Sequence, residues 1–255
     1  VGYLDSRHAV LALAHRGFDL TGRENSMAAF AAARALGVDH VETDAHATAD
    51  GVAVALHDAW LDRTTDTTGA VAALGWDRVR RARIAGTEPV PRLEDLLGDL
   101  PDLHVNIDVK ADGAEEAVAE AIERTGAHDR VLVTSFSTAR RRRTLARLSR
   151  PVATSAGRSE IVAFLAAAAL PDAVAVPAAR AALRGTDCLQ VPERSGLRVV
   201  TARTVALAHR VGRPVHVWTV DRPDDMRRLL DLGVDGIVTD RADLLRDVLI
   251  ARGDW

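Results

Sequence analysis

The residues that could do chemistry crowd into one stretch, HVETDAHATADGVAVALHD from His40 to Asp58, together with His15-Arg16-Gly17 upstream. In an extended segment His40, Glu42 and Asp44 share one side while Val41 and Thr43 take the other. Two carboxylates therefore point the same way. Ala49-Asp50-Gly51 reads as a turn, and a hairpin folded about it would set His57 roughly opposite Glu42. Inward-facing carboxylates are costly to bury without a cation, so the pattern asks for a hard metal, Mg²⁺ or Ca²⁺. A second alternating run, His104 to Lys110, puts Asp108 and Lys110 on its polar face. Lys110 is the only lysine in a chain whose other cations are arginines, which suggests a position that needs a compact ammonium.

These residues need a scaffold that brings several strand ends together. Extended runs near residues 12, 42, 107, 133, 153, 189, 217 and 237 alternate with helical segments, the rhythm of parallel βα units. Eight such units close a TIM (β/α)8 barrel, here a single domain over residues 1–255 with an extra hairpin arm after strand 2 and a long insertion at about 59–101. Barrel enzymes draw catalytic groups from the C-terminal ends of their strands. His15 and Arg16 fall at the first such end, Glu42 and Asp44 at the second, Asp108 and Lys110 at the third, and Trp218 at a later one. Three carboxylates could hold one divalent cation, two histidines could serve as acid and base, and Arg16 and Lys110 could neutralise an oxyanion. That combination suits phosphoryl transfer better than sugar cleavage, which needs two free carboxyls.

At these positions the chain resembles the glycerophosphodiester phosphodiesterase family. The matching pieces are AHRG, ENSMAAFAAARALG, VETDAHATADGVAVALHD, LDRTT, NIDVK, VTSF, VWTVD and GVDGIVTD, spread from near residue 14 to 240. The resemblance implies a TIM barrel with His15 and His57 as the acid-base pair and Glu42, Asp44 and Asp108 as metal ligands. It further implies Arg16 and Lys110 as phosphate contacts, Trp218 lining the site, and a small glycerophosphodiester as substrate. The chain departs from the family pattern at Asp108, where Glu is usual, at Ser26, where Thr is usual, and at Arg241, where Pro is usual. The Asp-x-Lys pair is also similar to sphingomyelinase D-like phospholipases, although the cysteine-bearing loop those enzymes carry after the second histidine is absent. A barrel that binds phosphodiesters without turnover is the reading from another class.

Composition limits the rest. A formal charge of −3 gives no global attraction to nucleic acid or acidic lipid. One cysteine, Cys188, precludes an internal disulfide and suits a reducing compartment. No apolar run is long enough for a stable membrane anchor, so the expectation is a cytoplasmic protein, with a removed leader left open. Four further expectations concern residues outside the constellation. His40, His104 and His216 should be satisfied core histidines, and His128 a surface or helix-end residue. Arg140 to Arg143 should form a solvated helix face. Trp60 and Trp76 should pack within the insertion. The insertion itself should act as a lid over the site.

Overall fold

The computed structural model describes residues 2–5 and 8–255. Eight parallel strands form its centre: β1 (Leu11–His15), β2 (His40–Ala47), β3 (His104–Val109), β4 (Val131–Thr134), β5 (Ala153–Thr154), β6 (Leu189–Pro192), β7 (Val215–Trp218) and β8 (Gly236–Thr239). They pair in the order β5-β4-β3-β2-β1-β8-β7-β6. An isolated parallel bridge between Ser155 and Cys188 joins the two ends of that row and completes the ring. Alternation along the strands divides their side chains between two environments. Val105, Ile107 and Val109 pack outward into the main hydrophobic core, whereas Asn106 and Asp108 belong to the opposite, inward face.

Local chemistry sets the element boundaries. Ser26 caps helix α1 (Met27–Ala35) by accepting a hydrogen bond from the Ala29 amide at 3.1 Å. Gly37, at φ +88°, then reverses the chain into β2. After β2 the chain turns back as an arm, Ala53–Ala55, antiparallel to β2 with Ala45 opposite Ala55 and Ala47 opposite Ala53. This is the hairpin the turn residues predict.

Several expectations fail, each for a physical reason. The insertion is not a lid, because Leu61, Val71, Val79, Ala82, Ile84 and Val90 close on Val54 and Leu56 of the hairpin to form a separate small core. None of its described residues lines the main cavity. Trp76 packs against that small core, whereas Trp60 is largely exposed. Arg141 is not solvated: it is 1% exposed, and its guanidinium donates to both carboxylate oxygens of Glu160 at 2.7 and 2.8 Å and to the Thr154 hydroxyl. His128 does lie at a helix end, just after helix Glu115–Thr125, but it is buried and bonded to Glu123 rather than on the surface. Among the three core histidines only His40 has both ring nitrogens bonded, to Asp39 and to the Tyr3 carbonyl; His104 Nδ1 and His216 Nε2 lack partners. A further helix, Asp172–Ala182, occupies a stretch that carried no expectation; Pro177 interrupts its helical signal, while Ala175 and Ala179 bury its inner face.

Candidate active site

Parallel register brings the predicted residues together. It places His15 beside Glu42 across β1 and β2, and Asp44 beside Asp108 across β2 and β3. Glu42, Asp44 and Asp108 are all buried at the strand ends. Arg16 follows β1 in a left-handed conformation, φ +56°, which turns its backbone amide toward Glu42 Oε2 at 3.3 Å. Its side chain meanwhile sits between Glu24 (3.1 Å) and Asp44 (3.0 Å). Asn25, also left-handed, donates to Asp44 and accepts from Thr43, locking the loop onto β2. Both departures from ordinary φ fall where the loop must approach the carboxylates, a common use of backbone strain.

Each candidate histidine is held by an aspartate. His15 Nδ1 donates to Asp240 at 2.6 Å, and His57 Nδ1 donates to Asp58 at 2.6 Å. Asp58 is in turn held by Arg63, which keeps its carboxyl well below the ordinary range, assisted by His57. A carboxylate on Nδ1 fixes the tautomer and leaves Nε2 for proton exchange. His15 Nε2 lies 3.8 Å from Glu42 Oε2. Burial, the largest influence on His15, disfavours its charged form. The Asp240 hydrogen bond and the Glu42 charge together outweigh burial and raise the pKa.

The carboxylates are unequal. Burial, then repulsion from Asp44, pushes Glu42 up to about 8. Burial also acts on Asp44, but the charges of Lys110 and Arg16 hold it below its usual value. Burial raises Asp108 despite Lys110. Lys110 Nζ stands 2.8 Å from both Asp44 and Asp108, and the two carboxylates raise its pKa against the effect of burial. Among the described residues no group of three His, Cys, Asp or Glu donors forms a ready-made metal cage. Lys110 occupies the space between two of the expected ligands. The donor chemistry nevertheless fits a hard cation: the three carboxylates are buried, Asp108 Oδ1 has no hydrogen-bond partner, and burial and the Asp44 charge both raise the Glu42 pKa.

His15, Arg16, Glu42, His57, Asp108, Lys110 and Trp218 all line one cavity of about 760 Å³ at the barrel mouth. Asp44 does not reach its wall; at 1% exposure it lies beneath Lys110 and Arg16. Trp218 meets Phe136 edge to face, with ring centres 5.7 Å apart, and Lys110 Nζ lies 5.6 Å from the Phe136 ring centre. Asp240, Asp58 and Glu24 carried no expected role, and Asn25 only that of a possible helix cap. Asp58 had a usable signal, its adjacency to His57. Asp240 had none within its own neighbourhood, since 225 positions separate it from His15.

Comparison with known proteins points one way. A profile described as the glycerophosphoryl diester phosphodiesterase family matches residues 15–244. The chain is 51% identical to the "Probable glycerophosphodiester phosphodiesterase 2" of Mycobacterium tuberculosis, over 96% of this chain and 92% of that protein. A crystal structure from Silicibacter pomeroyi DSS-3, named for the same activity, superposes with a TM-score of 0.79 at 25% identity, covering 98% of this chain and 97% of the other. The same fold recurs in a phosphodiesterase from Oleispira antarctica in complex with its product sn-glycerol-3-phosphate. That match has a TM-score of 0.78 at 21% identity and covers 94% of this chain and 96% of the other.

Proposed function

The chain belongs to the glycerophosphoryl diester phosphodiesterase family, and from that premise we propose a metal-dependent hydrolysis of glycerophosphodiesters to an alcohol and glycerol 3-phosphate, with His15 and His57 as the acid-base pair. The observation that carries this reading is the pair of Asp-oriented imidazoles lining one cavity with buried carboxylates and two cations. Each ring is fixed through Nδ1, so each presents Nε2 as the proton-exchanging atom. One removes a proton from the attacking hydroxyl while the other protonates the leaving oxygen. Arg16 and Lys110 line the same cavity, and in this reading they meet the negative charge that grows on phosphate oxygens in the transition state. Trp218 lines the same cavity.

Glu42, Asp44 and Asp108 would hold one divalent ion, Mg²⁺ or Ca²⁺, and such an ion acts as a Lewis acid on a phosphoryl oxygen. Support comes from the carboxylates themselves: all three are buried, and one Asp108 oxygen has no hydrogen-bond partner. The test is release of glycerol 3-phosphate from glycerophosphocholine by the purified protein, before and after EDTA and after adding back each metal. The expected result is loss of turnover on chelation and its return with one of the two ions. Undiminished turnover in fully stripped protein overturns the metal requirement.

A further inference from the structure

Most of the described arginines meet a carboxylate or a carbonyl oxygen. The side chains of Arg158, Arg194 and Arg198 meet neither among the described residues, and all three are exposed. They gather at the barrel mouth. Arg158 opens helix Arg158–Ala168 after β5, and Arg194 and Arg198 belong to a hairpin, Arg194–Ser195 with Leu197–Arg198, that follows β6. Arg158 and Arg198 both line the cavity. Arg194 stands directly opposite Arg198 across the hairpin, an arrangement of like charges that works against the pairing. Apolar side chains accompany these cations. Leu197, at the reversal that Gly196 permits with φ +70°, is 81% exposed. Val162, one helical turn on from Arg158, is 60% exposed, although Phe164, Ala167 and Ala168 already anchor its helix. Leu197 and Val162 also line the cavity. Folding explains neither the unpaired cations nor the apolar tips beside them.

We infer that this rim docks on an anionic lipid surface, with Leu197 and Val162 entering the headgroup boundary and the three guanidinium groups lying among lipid phosphates. Charge complementarity selects the occupant. An anionic bilayer supplies the counter-charge that Arg158, Arg194 and Arg198 lack within the protein, and it relieves the repulsion between Arg194 and Arg198. The apolar tips decide between anionic partners. A nucleic acid has no use for exposed aliphatic side chains, and a stable protein partner demands shape-matched area of about 800 Å² on each side. A bilayer accepts any convex apolar tip that has cations around it. The formal charge of −3 gives no global pull toward such a surface, so the attraction is local and orients the molecule with its cavity mouth toward the lipid. Docking of this kind is independent of the chemistry at the strand ends, and stands or falls whether or not diesters are hydrolysed.

The experiment is co-sedimentation of the purified protein with vesicles of phosphatidylcholine alone and of phosphatidylcholine mixed with phosphatidylglycerol. One cation near an anionic surface is worth about fivefold in partitioning, so three should favour the mixed vesicles by on the order of 10²-fold at low salt. High salt should erase that preference. Arg194→Glu combined with Arg198→Glu should abolish it. Arg180→Glu combined with Arg184→Glu makes the same change of charge at two exposed, equally unpaired arginines that do not line the cavity, and should retain most of the binding. Leu197→Trp tests insertion directly: its added emission should shift to the blue on the mixed vesicles and be quenched by lipids brominated in their acyl chains. Melting temperatures establish that each variant is folded, and if the hairpin variant is not, the quenching decides alone. Equal binding to both kinds of vesicle, equal loss in the two double variants, or an unquenched indole overturns docking. So does a dimer, seen by sedimentation velocity without lipid, that only Arg194→Glu with Arg198→Glu dissolves, since the rim would then belong to a second copy of the chain.

Discussion

At the scale of single residues, the site separates groups that exchange protons from groups that hold them in place. His15→Ala and His57→Ala should each lower kcat by roughly 10²-fold or more with little change in melting temperature, as expected for general acid-base groups. Steady-state kinetics alongside thermal unfolding would check this. Asp240→Asn makes a finer claim. Burial disfavours the charged form of His15, and Asp240 is the main influence opposing it. Without Asp240 the His15 pKa falls, so the limb of the pH-rate profile that reports His15 should move to lower pH. A profile that merely drops in height would show that Asp240 acts by packing alone. Lys110→Arg should also lower kcat at saturating metal, since a planar guanidinium cannot reproduce two 2.8 Å contacts made by one nitrogen to Asp44 and Asp108. Unchanged turnover in a folded variant would mean that any cation serves there. That the eight candidate side chains would gather at one barrel mouth was legible in the sequence, because strand parity, strand-end position and the Ala49-Asp50-Gly51 turn are local properties. Their orienting partners were mostly not, because pairs such as Asp240 with His15 exist only once the ring has closed.

Among the secondary-structure elements, the helix carrying Arg140 to Arg143 shows where local reading stops. Four consecutive arginines on a polar segment read as a solvated face, and two of them do meet an exposed acidic partner, Arg140 and Arg143 at Asp112, while the exposed Arg142 reaches in to the buried Glu160. Arg141 instead points inward and ties its helix to the next one through Glu160 and to β5 through Thr154. Glu160 also accepts from the Gly157 amide at the start of its own helix, so one carboxylate serves both elements. Removing one partner of a buried pair strands the other charge. Arg141→Ala should therefore cost about 3–5 kcal/mol in urea unfolding, whereas Arg142→Ala should stay within about 0.5 kcal/mol. Equal costs would mean that Arg141 is hydrated in solution. The failure of the lid expectation has the same origin. Length and irregularity suggested a cover, but the apolar residues of the insertion found partners in the hairpin arm beside it, which a count of residues does not reveal.

For the molecule as a whole, the barrel interior couples stability to acidity. His216 is fully buried, and burial pushes its pKa down to about 4 from an ordinary 6.5. The unfolded chain takes up that proton below about 6.5 and the folded chain resists it, so this contribution is complete above 6.5 and is lost as pH falls toward 4. The difference is worth up to about 3 kcal/mol. Wild type should therefore lose stability against His216→Gln as pH is lowered from 7 to about 4 in denaturant titrations, and parallel curves would sink the idea. The circular arrangement itself followed from counting eight strands, but the uneven lacing of the circle did not. β2 and β3 pair through six successive residues, from His40 with His104 to Ala45 with Val109, while β5 and β6 meet at one bridge, Ser155 with Cys188. Mechanically that makes the barrel a split ring. Strain or heat can part it at one place while every other strand pair stays joined, and the helix and hairpin flanking that place would move with the two lips. Hydrogen-deuterium exchange should then show the amides of Ala156 and Asp187, which donate across the split, opening well before those of β2 and β3, with global unfolding following as a separate and slower event.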